Sequence, residues 1–259
     1  MAHKTRMKHW VFLRGLGREA RHWGDFPQRF AQTVPAENIT LQDLAGNGVF
    51  HAQRSPTTVR AMVEFIRQQL ADAKVKPPHQ LVAMSLGAMV AIEWAAQYPA
   101  EVARLVLINT SMRPLSNSAE RLRPQNWPAL AAVALRWSNA GFAERTIFRL
   151  TCNRVDTRTA DEATWLEIRA TAPVGAANLT RQLVAASRYR APATAPLCPM
   201  LVLSSGADAL VNPVCSHHLA SSWQVAHRQH PWAGHDLPHD DAHWVGHQVA
   251  AWLELDAPL

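Results

Sequence analysis

Three cysteines in 259 residues are too few, and odd in number, for a disulfide framework. Cys152, Cys198 and Cys215 also lack the spacing of a metal site and read as reduced thiols in a reducing compartment. Long apolar runs are missing too. The longest, Leu81 to Ile92, falls well short of the roughly 20 residues of a membrane-spanning helix. The basic stretch Met1–Lys8 is followed by only four apolar residues before Arg14, too short for a secretory signal core, so the expected location is cytoplasmic. No H-E-x-x-H occurs, and no nucleic-acid-binding motif accompanies the net charge of +6. What the chain does have is 48% hydrophobic content, enough to bury a large core in one main domain with an insertion.

The most informative segment is Leu81-Val82-Ala83-Met84-Ser85-Leu86-Gly87-Ala88-Met89-Val90, where an apolar strand-like run stops at a serine and a helix-forming run begins. Ala83-Met84-Ser85-Leu86-Gly87 matches G-x-S-x-G with alanine for the first glycine. Such a turn projects the serine hydroxyl above a sheet edge, with small neighbours allowing strand and helix to pack closely. A serine hydroxyl needs an imidazole to take its proton and a carboxylate to fix that imidazole's tautomer. Both occur downstream. Pro199 to Ser205 is an apolar strand run leading into Gly206-Ala207-Asp208, and Trp232-Ala233-Gly234-His235-Asp236 sets a histidine in a loop before the final helix. Serine is also a favoured helix N-cap, and Asp208 is placed to cap a helix near Asn212-Pro213; the ordered acid and base favour Ser85, Asp208 and His235 acting together. Upstream, His9 to Leu13 followed by Arg14-Gly15-Leu16-Gly17 forms a strand and glycine-rich turn able to lend the Leu16 N–H to an oxyanion, with the Met84 N–H as second donor.

These pieces resemble the α/β-hydrolase superfamily, in particular its small esterases with an inserted helical cap. The matching segments are Arg14 to Gly17, Asp43-Leu44-Ala45-Gly46-Asn47-Gly48, the Ser85 elbow, Gly206 to Asp208, and Gly234-His235-Asp236, and the resemblance runs from near Trp10 to near Glu254. Two residues depart from the pattern: Arg14 stands where most relatives carry histidine, and Ala83 where most carry glycine. The resemblance implies an acyl-enzyme serine hydrolase of carboxylesterase type, needing no cofactor or metal, whose substrate is an ester, thioester or amide. Relatives with this triad include methyl-ester esterases, lipases, thioesterases, aminopeptidases and some lyases. Serine rather than aspartate at the elbow argues against a dehalogenase or epoxide hydrolase.

Strand and helix patterns alternate along the chain, implying a mostly parallel α/β sheet of about six strands with helices on both faces. Asn38 to Leu41 reads as the second strand and Val102 to Ile108 as the one after the elbow helix, which ends at Pro99. Val59, Met62, Val63, Ile66 and Leu70 share one helical face. The expected division is a core of residues 1–110 and 197–259 with a helical cap of 111–196. That cap holds 12 arginines, no lysine and 6 acidic residues, so its net +6 accounts for the charge of the whole chain. Either this is a solvated arginine-rich surface, or it attracts an anionic group such as an acidic acyl carrier. Arg14 and Gly15, in the glycine-rich turn after the first strand, are candidate substrate-binding residues, and Trp127, Trp137 and Trp165 are candidates to line an acyl pocket, against the plainer reading of cap-to-core packing. Oligomeric state is not legible.

Three further readings compete. Gly15-Leu16-Gly17-Arg18-Glu19-Ala20 after a strand, with Asp43 ending the next, matches a dinucleotide-binding fingerprint, although Gly24 and Pro27 cut short the helix it needs. His239, His243 and His247 fall at i, i+4 and i+8 and so share one helix face, which reads as a metal-binding face or, more simply, as a solvated or core-flanking one. The third is a binding protein that keeps the triad with little turnover.

Overall fold

The computed structural model describes residues 9–255, so the basic stretch Met1–Lys8 lies outside the described residues. Six parallel strands, β1 (His9–Leu13), β2 (Asn38–Gln42), β3 (His79–Met84), β4 (Val102–Ile108), β5 (Met200–Ser205) and β6 (Ala226–His230), form one sheet in the order β2-β1-β3-β4-β5-β6. Central strands β3 and β5 are buried at every position, which explains their apolar runs: both faces of a parallel sheet are covered. Side chains alternate between two cores. Val11, Leu13, Leu81, Ala83, Leu105 and Leu107 point to one, together with the apolar faces of α2 (Val59–Asp72) and α3 (Leu86–Gln97). Trp10, Phe12, Val82, Met84, Val106 and Ile108 point to the other, against α1 (Phe26–Thr33) and the C-terminal helix.

The order of strands reverses between β1 and β3. From β1 the chain moves outward to β2; from β3 it moves the other way through β4, β5 and β6. In open parallel sheets a crevice opens at the carboxyl ends of the two strands flanking such a reversal. Here those ends carry Arg14 to Gly17 and Ser85.

Between β4 and β5 the chain is helical: α4 (Ser118–Arg121), α5 (Trp127–Leu135), α6 (Ala140–Thr151), α7 (Arg158–Thr171) and α8 (Ala176–Arg188). The outgoing and returning chains meet at Arg113 and Arg190, where the Ala191 N–H donates to the Arg113 carbonyl at 2.6 Å. After β5 come α9 (Val214–Trp223), β6, the short α10 (Leu237–Asp240) and α11 (Ala242–Leu255). No helix among the described residues is long and apolar enough to cross a membrane.

Candidate active site

Ser85 sits between the last residue of β3 and the first of α3, at φ 53° and ψ −116°. That conformation costs a non-glycine residue about 1–3 kcal/mol and persists only where its surroundings enforce it. Three contacts enforce it here. The Ser85 N–H donates to the Ile108 carbonyl at 2.9 Å, the Thr110 hydroxyl donates to the Ser85 carbonyl at 3.0 Å, and α3 is pressed onto the end of β1. Gly87 makes the last contact possible, since a Cβ there would lie 2.4 Å from the Leu13 carbonyl oxygen and 2.6 Å from that of Arg14. Gly15 does the same from the other side, where a Cβ would lie 3.2 Å from that of Ser85.

His235 and Asp208 meet, although 27 residues separate them: His235 Nδ1 and Asp208 Oδ2 are 2.7 Å apart and both side chains are buried. Asp208 Oδ1 accepts the Leu210 and Val211 N–H groups at 2.8 and 2.9 Å, so the carboxylate is locked by its own loop. The alternative role for Asp208 goes instead to Asn212, whose side chain caps Val214 at the start of α9. Burial works to lower the His235 pKa, but the charge and hydrogen bond of Asp208, aided by the charge of Asp236, outweigh it and hold the imidazole above its ordinary 6.5.

Asn109, just beyond β4 and at φ 45°, joins these groups. Its amide donates to the His235 carbonyl at 2.7 Å and to Ser205 Oγ at 2.9 Å, while its Oδ1 accepts the Ser205 N–H at 2.9 Å. Thr110, the next residue, holds Ser85. One turn therefore supports the serine, the histidine loop and the end of β5. Sequence reading passed over this asparagine; its only signal was a polar residue closing an apolar strand.

The oxyanion turn requires one correction. Met84 ends β3, so its N–H lies in the plane of the sheet rather than at the mouth of the elbow. Leu86 opens α3, and the first N–H groups of a helix lack intrahelical acceptors. The N–H beside Ser85 without an intrahelical acceptor is thus that of Leu86, whereas the Met84 N–H belongs to β3. Leu16 follows Gly15, which abuts Ser85. The turn is fixed from the helical segment: Gln182 of α8, with no exposed surface, accepts the Gly17 N–H at 2.8 Å and donates to Asn47 Oδ1 at 2.7 Å, and Asn47 in turn donates to the Arg18 carbonyl at 2.8 Å.

Arg14 is not free to meet a substrate. Its Nη1 and Nη2 donate to the two carboxylate oxygens of Asp236 at 3.0 and 2.5 Å, and both side chains are only 3% exposed. Trp165 is likewise turned inward, packing with Phe148, Cys152 and Ile168 while Arg18 stacks 4.1 Å above its ring. Trp137 donates its indole N–H to the Val174 carbonyl and lies under Arg169 at 3.7 Å. The cavity it lines with Gly17, Arg18 and Glu144 measures about 10 Å³, room for about one water and none for an acyl chain. Trp127 is the exception, with 51% of its surface exposed.

At least six of the twelve arginines in 111–196 have partners within the protein. Arg121 and Arg123 donate to the carbonyls of Ala186 and Asp208, Arg149 to Thr146, Arg154 pairs with Asp156, Arg169 with Glu144, and Arg136 stacks on Phe142. Arg18 and Arg169 both bind Glu144, at 2.6 and 2.9 Å, tying the turn after β1 to α6 and α7. Burial works to raise the Glu144 pKa, but the two guanidinium groups hold it below the usual carboxylate value.

The three histidines do not share a helix face. Asp241 breaks the helix between α10 and α11 at φ −149°, so His239 turns to Asp161 and Asp240 while His243 and His247 stay exposed on α11 with their Nε2 atoms 2.9 Å apart. Cys152, His239 and Asp240 do place ligand atoms within 4.8 Å of one another. Asp240, however, already accepts backbone N–H groups from Asn153, Arg154 and Gly234, which makes it a joint between the helical segment and the histidine loop. The dinucleotide reading fails as well. After Gly17 the chain forms only a four-residue 3-10 turn, Ala20–Trp23, and the buried Asp43 carboxylate accepts the Ala20 and Val49 N–H groups instead of facing a ligand.

A serine on a strained turn between a central strand and a helix, and a buried histidine–aspartate pair whose loop is held by the same Asn109–Thr110 turn that holds the serine, on this sheet order, define the α/β-hydrolase class. The alpha/beta hydrolase family model matches residues 10–248, and the chain belongs to that family, with hydrolysis as its coarse activity. It is 31% identical over 216 residues to a putative carbamate hydrolase RutD of Variovorax paradoxus, covering 80% of this chain and 76% of the relative. It is also 33% identical over 143 residues to a pimeloyl-[acyl-carrier protein] methyl ester esterase of Chromobacterium violaceum, covering 54% of this chain and half of that relative's length. An enol-lactonase structure from Burkholderia xenovorans LB400 superposes with a TM-score of 0.76 over 98% of this chain and 94% of the other at 17% identity, a likeness of fold alone.

Proposed function

We propose that this protein is a serine hydrolase that cleaves a carboxylic ester or thioester through an acyl-enzyme on Ser85. The carrying observation is the buried 2.7 Å contact between His235 Nδ1 and Asp208 Oδ2, which leaves Nε2 as the nitrogen able to accept the serine proton. Ser85 Oγ attacks the acyl carbon, His235 takes the proton and returns it to the leaving group, and Asp208 stabilises the imidazolium. The N–H groups of Leu16 and Leu86 receive the oxyanion, a contribution on the order of 10²–10³ in rate per donor. Water then releases the acid by the same route.

The helical segment 111–196 acts as a cap, and Trp127 is the one tryptophan of the three still able to meet substrate. An acyl group on an acidic carrier fits the basic balance of this segment and the named substrate of the Chromobacterium relative. A cytoplasmic setting suits its three free thiols. A panel of nitrophenyl esters of increasing acyl length, run beside acyl-CoA and acyl-carrier methyl esters, tests the substrate class. Ester or thioester turnover abolished by Ser85→Ala supports the reading; turnover of carbamates or amides alone replaces its substrate class, and turnover that survives Ser85→Ala overturns it.

A further inference from the structure

Arg14 stands where the resemblance leads one to expect histidine, and its surroundings give it a task. It leaves the end of β1 directly before Gly15 and the oxyanion turn. Its fork grips both oxygens of Asp236, the residue after His235, and its Nη1 also lies 3.6 Å from the Met84 sulfur, one residue before Ser85. The Trp23 ring flanks the guanidinium at 4.7 Å. A planar, permanently charged fork is the side chain suited to holding a carboxylate at two points in a dry site. Burying one partner without the other would leave an uncompensated charge. We infer that Arg14 is a positioning residue: through Asp236 it fixes the His235 loop against the oxyanion turn and the end of β3, and it cancels the Asp236 charge beside the imidazole. The inference rests on the serine-hydrolase reading and deepens it.

The groups facing His235 are Asp208 from the loop after β5, Asp236 from its own loop and Arg14 from the turn after β1; those facing Asp236 are Arg14, His239 of α10 and Arg18. Asp236 favours the protonated imidazole and Arg14 opposes it, so the two partners carry opposite signs at the same nitrogen pair.

The test is a set of variants, Arg14→Gln, Arg14→Lys, Asp236→Asn and the double variant R14Q/D236N, each read three ways: kcat and KM, the acid limb of the pH–rate profile, and titration of the His235 imidazole by NMR. Arg14→Gln is expected to lower kcat about 10²-fold with KM unchanged, the scale of a small misplacement of reacting groups. Its acid limb and His235 titration move to higher pH, those of Asp236→Asn move lower, and the double variant returns toward the parent. Arg14→Lys keeps the charge but not the fork, so it holds the limb while losing rate. Should Arg14→Gln fail to fold, the double variant and Asp236→Asn carry the same comparison. Limbs that stay put or move together overturn the inference, as does a raised KM with kcat retained, which would make Arg14 a substrate contact. Fluorophosphonate labelling of Ser85 in the parent protein tests the hydrolase reading separately, and the NMR titration needs no turnover.

Discussion

The strands and the elbow hold Ser85 mainly with apolar packing and backbone geometry, whereas the joint to the helical segment between β4 and β5 rests on charged forks and single side-chain amides. Around Ser85 the supports are the Ile108 carbonyl, the Thr110 hydroxyl, the missing side chains of Gly15 and Gly87, and a fully buried β3. Across the joint to the segment the supports are Glu144 between Arg18 and Arg169, Gln182 on Gly17, and Asp240 on Asn153 and Arg154. Apolar burial is non-directional and tolerates substitution of similar volume. A buried charge stripped of its partner is not tolerated. The first region is therefore built to stay rigid during chemistry, while the second is fastened at a few points where single substitutions have large effects.

The largest expected effects break the chemistry and spare both regions. Ser85→Ala lowers turnover roughly 10⁴–10⁶-fold with the fold intact, as read by steady-state kinetics and circular dichroism. Asp208→Asn lowers kcat roughly 10⁴-fold, because Nδ1 then loses the carboxylate that sets its tautomer. Next come changes that weigh the two regions against each other. Glu144→Gln strands two largely buried guanidinium groups and costs about 3–5 kcal/mol in urea denaturation. Gly87→Ala forces α3 from the end of β1 and costs about 3 kcal/mol by the same measure. A larger loss from Gly87→Ala than from Glu144→Gln would reverse the contrast between packed and pinned regions. The smallest effect is reserved for Trp127→Ala, within about 0.5 kcal/mol in stability for so exposed a residue. A KM unchanged across acyl lengths in that variant removes Trp127 from the substrate path.

The pH dependence follows from the direction of the His235 shift. A base must be neutral to accept the Ser85 proton, and His235 is held above 6.5, so kcat/KM falls as pH drops through a value higher than that of a free imidazole. The same raised value contributes stability that is present below the unfolded pKa and lost as pH rises through the folded one.

Much of the sheet was readable because its rules are local. Apolar runs of strand length, the helical face from Val59 to Leu70 and Pro99 after the elbow helix all describe neighbours in the chain. The pairing of Asp208 with His235 was legible through their order after Ser85. Arg14 was misread because its partner lies 222 residues away, and no pattern near residue 14 signals a carboxylate at 236. The three tryptophans were grouped by residue type, yet Arg18 takes Trp165, Arg169 and the Val174 carbonyl take Trp137, and Trp127 stays exposed on the Leu122 carbonyl. Met84 and Leu86 flank the same serine, and only the turn of the chain shows which N–H leaves the sheet.

The most direct test of the central claim is the rate at which a fluorophosphonate forms an adduct, followed by mass spectrometry of the intact protein and its peptides as a function of pH. The account predicts one adduct, on Ser85, whose formation falls off on an acid limb above pH 6.5 and nearly vanishes in His235→Ala. Labelling at another residue, or Ser85 labelling that proceeds equally well without His235, would contradict it.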